Sequence, residues 1–276
     1  MVSLGAVRDA ASRGATTLRL DAPTRAWGGA ASLRVTSAYA VLLIAVYAGL
    51  NALGPHARHV AVSRMSTNLH NLARGHLGTL IGSAFVDDGG ELCLWLPGLV
   101  CLLALGEMLW RSMGLLITFA VGHIGATLIV AVGLVAAVQS GWLPFSVARA
   151  SDVGISYGAV CVLGALTASL PPRWRAAWVG WWLGTATLAA VAADFDFTAA
   201  GHVVALLLGM GLSFRLRATT AWTPVHLALL VVGGTFGFFL VSGPSVLAPC
   251  GGLAGAAVAW VATRNRVSAG PPPINP

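Results

Sequence analysis

The 276-residue chain is 57% hydrophobic and only 9% charged, and its mean hydropathy is +0.81. Soluble globular domains carry about 25% charged residues, so this chain has too few charges to cover a surface exposed to water. Its net charge of +7 comes from 16 arginines that are dispersed along the chain, which argues against a nucleic-acid partner. The composition therefore predicts an all-α, polytopic bundle of membrane helices whose main partner is the lipid bilayer.

Eight apolar segments have the length of membrane spans, which need about 20 residues each. After an arginine-rich tail at 1–35 they lie at 36–54, 92–110, 113–138, 153–170, 176–193, 198–214, 222–241 and 246–262. We expect the first segment to act as a signal anchor. The first six segments would form a core at 36–218 and the last two an addition at 219–263, followed by a proline-rich tail at 264–276. A re-entrant hairpin is the alternative for the last pair, which a Gly243-Pro244 turn separates.

The connection from Pro55 to Glu91 is too long for a simple turn. Apolar residues recur in it at near-helical spacing, at Leu69, Leu72, Leu77, Leu80, Ile81 and Ala84. This spacing favours a helix in the outer membrane interface, and an amphipathic helix packed on the bundle is the alternative.

The arginines also predict the orientation of the chain. If all eight segments cross the bilayer, twelve arginines lie on one side, and four lie on the other: Arg58, Arg64, Arg74 and Arg149. Short cytoplasmic segments carry an excess of Arg and Lys. We therefore expect the protein to lie in the cell membrane with both termini in the cytoplasm.

A serine and a histidine stand near matching ends of two segments. The fourth segment begins "SDVGISYGAV" at 151–160, with Ser156 just inside its outer end, and the sixth opens "TAAGHVVALLLGMGL", with His202 about one turn below the same end. An ionisable residue within a membrane helix usually faces the bundle interior or a water-filled cavity. A serine hydroxyl becomes a nucleophile when a base such as neutral imidazole takes its proton. Ser156 and His202 are therefore a candidate catalytic pair.

Small residues surround both positions and have a structural interpretation, since they are typical of close contacts between membrane helices. They are Gly154, Gly158 and Gly164 on the fourth segment, and Gly201, Ala205 and Gly209 on the sixth.

Three stretches resemble the rhomboid family of intramembrane serine proteases. "GISYG" is similar to the Gly-x-Ser-Gly that begins the family's fourth helix, "GHVVALLLG" to the histidine motif of its sixth, and "LGEMLWRSMG" at 105–114 to the Leu-Gly…Glu…Gly run of its second. The resemblance covers about 36–218 and implies a six-helix core plus the two C-terminal spans found in divergent bacterial members. It also implies that Ser156 is the nucleophile, that His202 is its base, and that the substrate is a transmembrane segment of another protein.

The sequence differs from the family's proteases at the positions whose side chains stabilise the oxyanion. Those proteases carry a His and an Asn on the second helix, whereas "GGELCLWLPGLVCLLALG" has neither, and Tyr157 replaces the glycine after the serine. One oxyanion donor is worth ~10²–10³ in rate. A slow intramembrane serine endopeptidase and a catalytically inactive protein that binds transmembrane helices therefore both remain open, and a small-molecule transporter is a weaker third. Four loop groups are candidates to replace the missing donors: Asn68, His70, Asn71 and His76.

Three further ionisable residues lie within apolar segments. His123, on the third segment, is expected to hydrogen-bond to a neighbouring helix, and Glu107 and His226 are expected to reach the cytoplasmic interface. No spacing of His, Cys and acidic residues indicates a metal site, and no cofactor is expected.

Overall fold

The computed structural model describes residues 33–86, 92–149, 155–216 and 218–268, and every regular element within these ranges is helical. The α-helices are α1 (Arg34–Ala52), α2 (Pro55–Met65), α3 (Leu69–Ala73), α4 (Thr79–Gly82), α5 (Leu92–Ala120), α6 (Ala126–Gln139), α7 (Ser156–Ala165), α8 (Pro172–Ala192), α9 (Phe197–Ser213), α10 (Pro224–Ser242) and α11 (Ala248–Ser268). Short 3₁₀ turns follow α4, α6 and α7, and a π-helical turn at Val121–Gly125 joins α5 to α6.

Each of the eight predicted segments overlaps a helix, but fewer helices qualify as membrane spans by length and hydropathy. Among the described residues three do so: Arg34–Ala52, Leu92–Gln139 and Pro224–Ser242. Ser156–Ser169 and Phe197–Ser213 are apolar but shorter. The protein is therefore a helical membrane protein, while the six-plus-two count of spans stays a prediction. The tail predicted at 1–35 lies almost wholly outside the described residues, and α11 extends to Ser268, past the boundary predicted at 263.

The second and third predicted segments meet at a sharp reversal of the chain. Arg111 has φ 62° and ψ 171°, which interrupts α5. Beyond it the chain packs back on itself, since a Cβ built at Gly106 would lie 3.3 Å from the side chain of Leu115. In a straight helix residues nine positions apart would be about 13 Å apart along the axis. The predicted boundary between 110 and 113 thus coincides with the observed break.

Helix α7 lies at the centre of the bundle. Every residue from Tyr157 to Ala165 is buried, and α7 contacts α5, the π-helical turn, α9 and α10. A helix that is apolar on all sides is suited to this position. Large apolar side chains on the outer helices are exposed instead, as expected of surfaces that face lipid: examples are Val41, Leu94, Val132 and Val231.

Glu107 is buried and binds the start of α1, which corrects the expectation that it reaches the interface. Its carboxylate accepts hydrogen bonds from the backbone N–H groups of Val35 (3.0 Å) and Thr36 (2.8 Å), from Thr36 Oγ1 (2.7 Å) and from Ser112 Oγ (2.6 Å). The first N–H groups of a helix have no partner within it, and Leu33 has no side chain that could cap them. Glu107 therefore caps α1 from a different helix. His226 is also buried, where it forms a capping box with Thr223 at the start of α10.

The connection between α1 and α5 is not one amphipathic helix, contrary to the expectation from its spacing. It forms the short helices α2, α3 and α4, and a turn at Gly75, with φ 77°, separates α3 from α4. Buried hydroxyls fix this connection to the bundle: Thr67 Oγ1 contacts Ser83 Oγ at 2.8 Å, and Ser83 Oγ lies 3.2 Å from His123 Nε2. Local polar contacts thus override the apolar periodicity.

The last two helices both pack on the core. In α10, Gly233 faces the backbone of Leu102 on α5. In α11, Gly251 and Gly255 contact the backbone of Gly184 and Gly180 on α8, so that neither helix could carry a larger residue there. The helices α10 and α11, with the turn that joins them, are called the C-terminal hairpin below.

Candidate active site

Ser156 is the first residue of α7 and is half-buried. Ile155 is the N-cap residue of α7, and Gly154 lies outside the described residues. Because Ser156 occupies the first turn, its backbone N–H belongs to the groups that have no acceptor within the helix. The Ser156 hydroxyl and backbone N–H therefore both lie at this end of α7.

His202 lies on the second turn of α9. The helix begins after Asp196, whose side chain caps it by accepting a hydrogen bond from the N–H of Ala199 at 2.6 Å. The His202 side chain is only 7% exposed, and its Nε2 is buried without a hydrogen-bond partner among the described residues. An imidazole nitrogen in this state carries a lone pair or a proton that no described group of the protein uses.

Helices α7 and α9 run side by side in the same direction, as the sequence predicted. Tyr157 near the start of α7 touches Gly201 near the start of α9, and Gly164 further along α7 lies against Leu206. A Cβ on Gly164 would stand only 2.5 Å from the Leu206 carbonyl oxygen. The close approach of the two backbones therefore depends on glycine, and it brings the ends that carry Ser156 and His202 together.

The remaining small residues divide between two contacts. Gly209 meets the carbonyl oxygen of Cys161 and Ala205 is fully buried, so both lie on the face of α9 that packs in the core. Gly158 does not face α9: a Cβ there would lie 2.6 Å from the Phe119 ring at the end of α5. Its small size serves the contact between α7 and α5.

Tyr157, which stands where the family's proteases have glycine, touches the candidate base. Its ring lies edge-on to the His202 ring, with centroids 5.7 Å apart and planes at 82°. The Tyr157 hydroxyl lies 3.5 Å from the Phe197 carbonyl oxygen, which is the outer limit of a hydrogen bond. Neighbouring residues of a helix point about 100° apart, so Ser156 is directed away from this contact. Because Nε2 has no partner among the described residues, Ser156 Oγ does not donate to it in this arrangement.

The loop amides proposed as substitute oxyanion donors have other roles. Asn68 caps α3 by accepting from the N–H of Asn71 at 2.9 Å, and Asn71 Nδ2 donates to the Ser66 carbonyl oxygen at 2.7 Å. Both side chains therefore stabilise the connection between α1 and α5. On α5, Leu99, Leu102 and Leu105 are fully buried, and their side chains have no hydrogen-bond donor.

The model of the rhomboid-like protein family matches residues 34–221, which is more than half of the chain. The chain belongs to the rhomboid-like family. No curated protein and no solved structure matches it. The matched range ends before α10 begins at Pro224, so the C-terminal hairpin lies outside it. Family membership and the apolar helices together place this rhomboid-like protein in a lipid bilayer.

Proposed function

We propose that this rhomboid-like protein is an intramembrane serine endopeptidase of low intrinsic activity that cleaves transmembrane segments, with Ser156 as nucleophile and His202 as base. One observation carries the proposal: the helix that begins with half-buried Ser156 packs through glycine contacts against the helix that carries His202, whose buried Nε2 has no partner in the described part of the chain. Burying an imidazole nitrogen without a hydrogen-bond partner costs free energy. A role as the catalytic base would account for this cost, because the nitrogen then accepts the serine proton during the reaction.

The proposed chemistry follows acyl transfer. Ser156 Oγ attacks the carbonyl carbon of a substrate peptide bond while its proton passes to His202 Nε2, and the backbone N–H of Ser156 stabilises the oxyanion. The C–N bond then breaks, the proton moves from His202 to the leaving amine, and an acyl-enzyme remains. Water then attacks the acyl carbon and gives a proton to His202; the bond from that carbon to Ser156 Oγ breaks, His202 returns the proton to Ser156 Oγ, and the carboxylic acid leaves. Before the first step the Ser156 side chain must rotate towards Nε2, since hydrogen bonds of this kind often form only with substrate bound.

The missing side-chain donors set the expected rate. If each of two oxyanion donors is worth ~10²–10³, their absence slows the reaction by about 10⁴–10⁶ relative to a complete site. This loss of rate favours a second candidate function, an inactive rhomboid-like protein that binds transmembrane helices. The absence of a hydrogen bond between Ser156 Oγ and His202 Nε2 favours it as well.

The two functions are separated by a fluorophosphonate probe and by cleavage of a transmembrane reporter whose helix carries destabilising residues. We expect slow labelling and slow cleavage that both disappear in Ser156→Ala and His202→Ala. Ser213→Ala is the matched control, because it removes a buried serine at the far end of α9. Cleavage that persists in Ser156→Ala refutes the proposed nucleophile. Reporter binding without any cleavage or labelling supports the inactive protein.

Tyr157→Phe tests whether the tyrosine hydroxyl assists the reaction. The ring fills buried space, so phenylalanine preserves the packing that a glycine would remove. Because the hydroxyl lies beside Phe197 and is directed away from Ser156, we expect cleavage to survive this change. A large loss of rate in Tyr157→Phe, with unfolding unaffected, would show that the hydroxyl holds the oxyanion.

A further inference from the structure

A groove of about 800 Å³ lies on the side of the bundle between α3 and α6, in the size range typical of ligand pockets. Helix α6 forms one wall with Val132 and Val135, and α3 forms the other with Leu72. The 3₁₀ turn that follows α6, at Phe145–Arg149, contributes the ring of Phe145. None of the lining residues belongs to the candidate active site.

The groove is apolar over most of its length and opens towards the surface that lipid covers. Its lining side chains are apolar except for His70 on α3 and Gln139 at the end of α6, and Val132 and Phe145 are exposed. Along α6 the lining runs from Leu128 to Gln139, which is about 16 Å at 1.5 Å per residue. The hydrocarbon core of a bilayer is about 30 Å thick. The groove therefore has the depth of one leaflet.

This length favours an acyl chain as the occupant over a helix of another protein. A transmembrane helix crosses both leaflets, so it would need a groove about twice as long. An acyl chain crosses a single leaflet, from the headgroup to the middle of the bilayer. The apolar span that includes α6 ends at Gln139, so this end of the groove is where a headgroup would lie, and Leu128 marks the deep end.

The connection that carries α3 is basic, which limits the headgroup. Between Leu53 and Val86 the chain has no acidic residue, and the next ones along the chain, at 87, 88 and 91, lie outside the described residues. The same stretch holds three arginines and four histidines: Arg58, Arg64, Arg74, His56, His59, His70 and His76. Arg74 is exposed and directly follows Ala73, which lines the groove. Basic segments at a membrane surface attract anionic lipids.

We propose that this groove binds one phospholipid with an anionic headgroup. An acyl chain lies along α6 against Val132 and Val135, and the headgroup phosphate accepts hydrogen bonds from the Arg74 guanidinium and the Gln139 side-chain amide. Because α3 has only five residues, the bound lipid adds a contact that joins this short helix to α6. The inference is independent of the proposed function, since it holds for a protease and for an inactive protein alike.

The test uses the full chain purified in detergent. Native mass spectrometry counts the phospholipid bound after addition of phosphatidylglycerol, which is anionic, or of phosphatidylcholine, whose net charge is zero. Phosphatidylglycerol with a photoreactive group on its acyl chain then locates the chain by the peptides to which it crosslinks.

Two pairs of variants test the two parts of the site. Val135→Trp fills the groove, and its matched control is Ile129→Trp, which lies outside the lining about 120° around the axis of α6. The two positions are similarly exposed, at 41% and 48%. Arg74→Gln removes the charge beside the groove, and Arg64→Gln removes an equal charge from α2, outside the lining. Unfolding in detergent without added lipid verifies that each variant is folded.

We expect the wild-type chain to bind phosphatidylglycerol about 5-fold more tightly than phosphatidylcholine, which is the effect of one arginine near an anionic headgroup. Arg74→Gln should remove this preference, and Arg64→Gln should keep it. The photoreactive acyl chain should crosslink to α3 and α6. Val135→Trp should abolish both the bound lipid and the crosslink, whereas Ile129→Trp should retain them, because only the first side chain occupies the groove.

Four results would each overturn the proposal. Equal binding of the two phospholipids by the wild-type chain would show that the headgroup is not recognised. Equal losses of binding in Arg74→Gln and Arg64→Gln would show a diffuse attraction by the whole connection, and equal losses in Val135→Trp and Ile129→Trp would show that the lipid lies elsewhere. Displacement of the bound phospholipid by the transmembrane reporter or by a neutral hydrophobic cofactor would assign the groove to a different occupant.

Discussion

Replacing Glu107 by alanine is expected to destabilise the bundle strongly without touching the candidate active site. Glu107 is 2% exposed and accepts four hydrogen bonds, two of them from the backbone N–H groups of Val35 and Thr36. The Thr36 and Ser112 hydroxyls can rotate to other acceptors after the substitution. The two backbone donors cannot, since the first turn of α1 offers them no acceptor.

The magnitude follows from those two donors. A buried group left unsatisfied costs about 1–3 kcal/mol. A negative charge near a helix N-terminus contributes a further 0.3–1 kcal/mol or so. Glu107→Ala should therefore lower the free energy of unfolding by about 2–7 kcal/mol. Glu107→Gln keeps one acceptor oxygen but turns an amide NH₂ towards the other donors. It should therefore lower the free energy of unfolding, but by less than Glu107→Ala does.

The assay is reversible unfolding in mixed micelles of a mild detergent and SDS, followed by tryptophan fluorescence. Thr36→Val is the matched control, because it removes one hydroxyl and leaves both backbone bonds; it should cost about 1 kcal/mol. If Glu107→Ala costs no more than Thr36→Val, the backbone contacts contribute little and the reasoning is refuted.

Two other predictions concern helix contact and orientation. Gly164→Ala should lower the free energy of unfolding by about 1–3 kcal/mol and reduce probe labelling, because the added methyl group would lie 2.5 Å from the Leu206 carbonyl oxygen. The control Gly211→Ala has nothing within 4 Å of the added methyl group and should be neutral or slightly stabilising. Equal losses of stability in the two variants would contradict the contact between Gly164 and Leu206. Reporter fusions at Pro276 and at Asp194 should lie on opposite sides of the membrane, as the arginine bias predicts, whereas reporters on the same side would show that the span count is wrong.

The sequence by itself determined the protein class and the places where helices form. Low charge and high hydropathy are properties of composition, so they establish a membrane protein without any knowledge of packing. The helix positions followed because apolar runs and their Gly, Pro and Arg boundaries are local features; the break at Arg111 lies where two runs meet. The short motifs around Ser156 and His202 were sufficient to suggest the family.

Only the tertiary structure decided which polar groups meet. Glu107 binds Thr36, 71 positions away in the chain, and no local pattern links the two. Tyr157 contacts His202, although the sequence only showed that it replaces a glycine. The turn that carries Ser245 joins the same cavity as His202 because α11 packs on α8 through glycines. Hydropathy reports how each residue interacts with its solvent, whereas hydrogen bonds between distant residues depend on how the helices pack, which a single sequence does not encode in any local pattern.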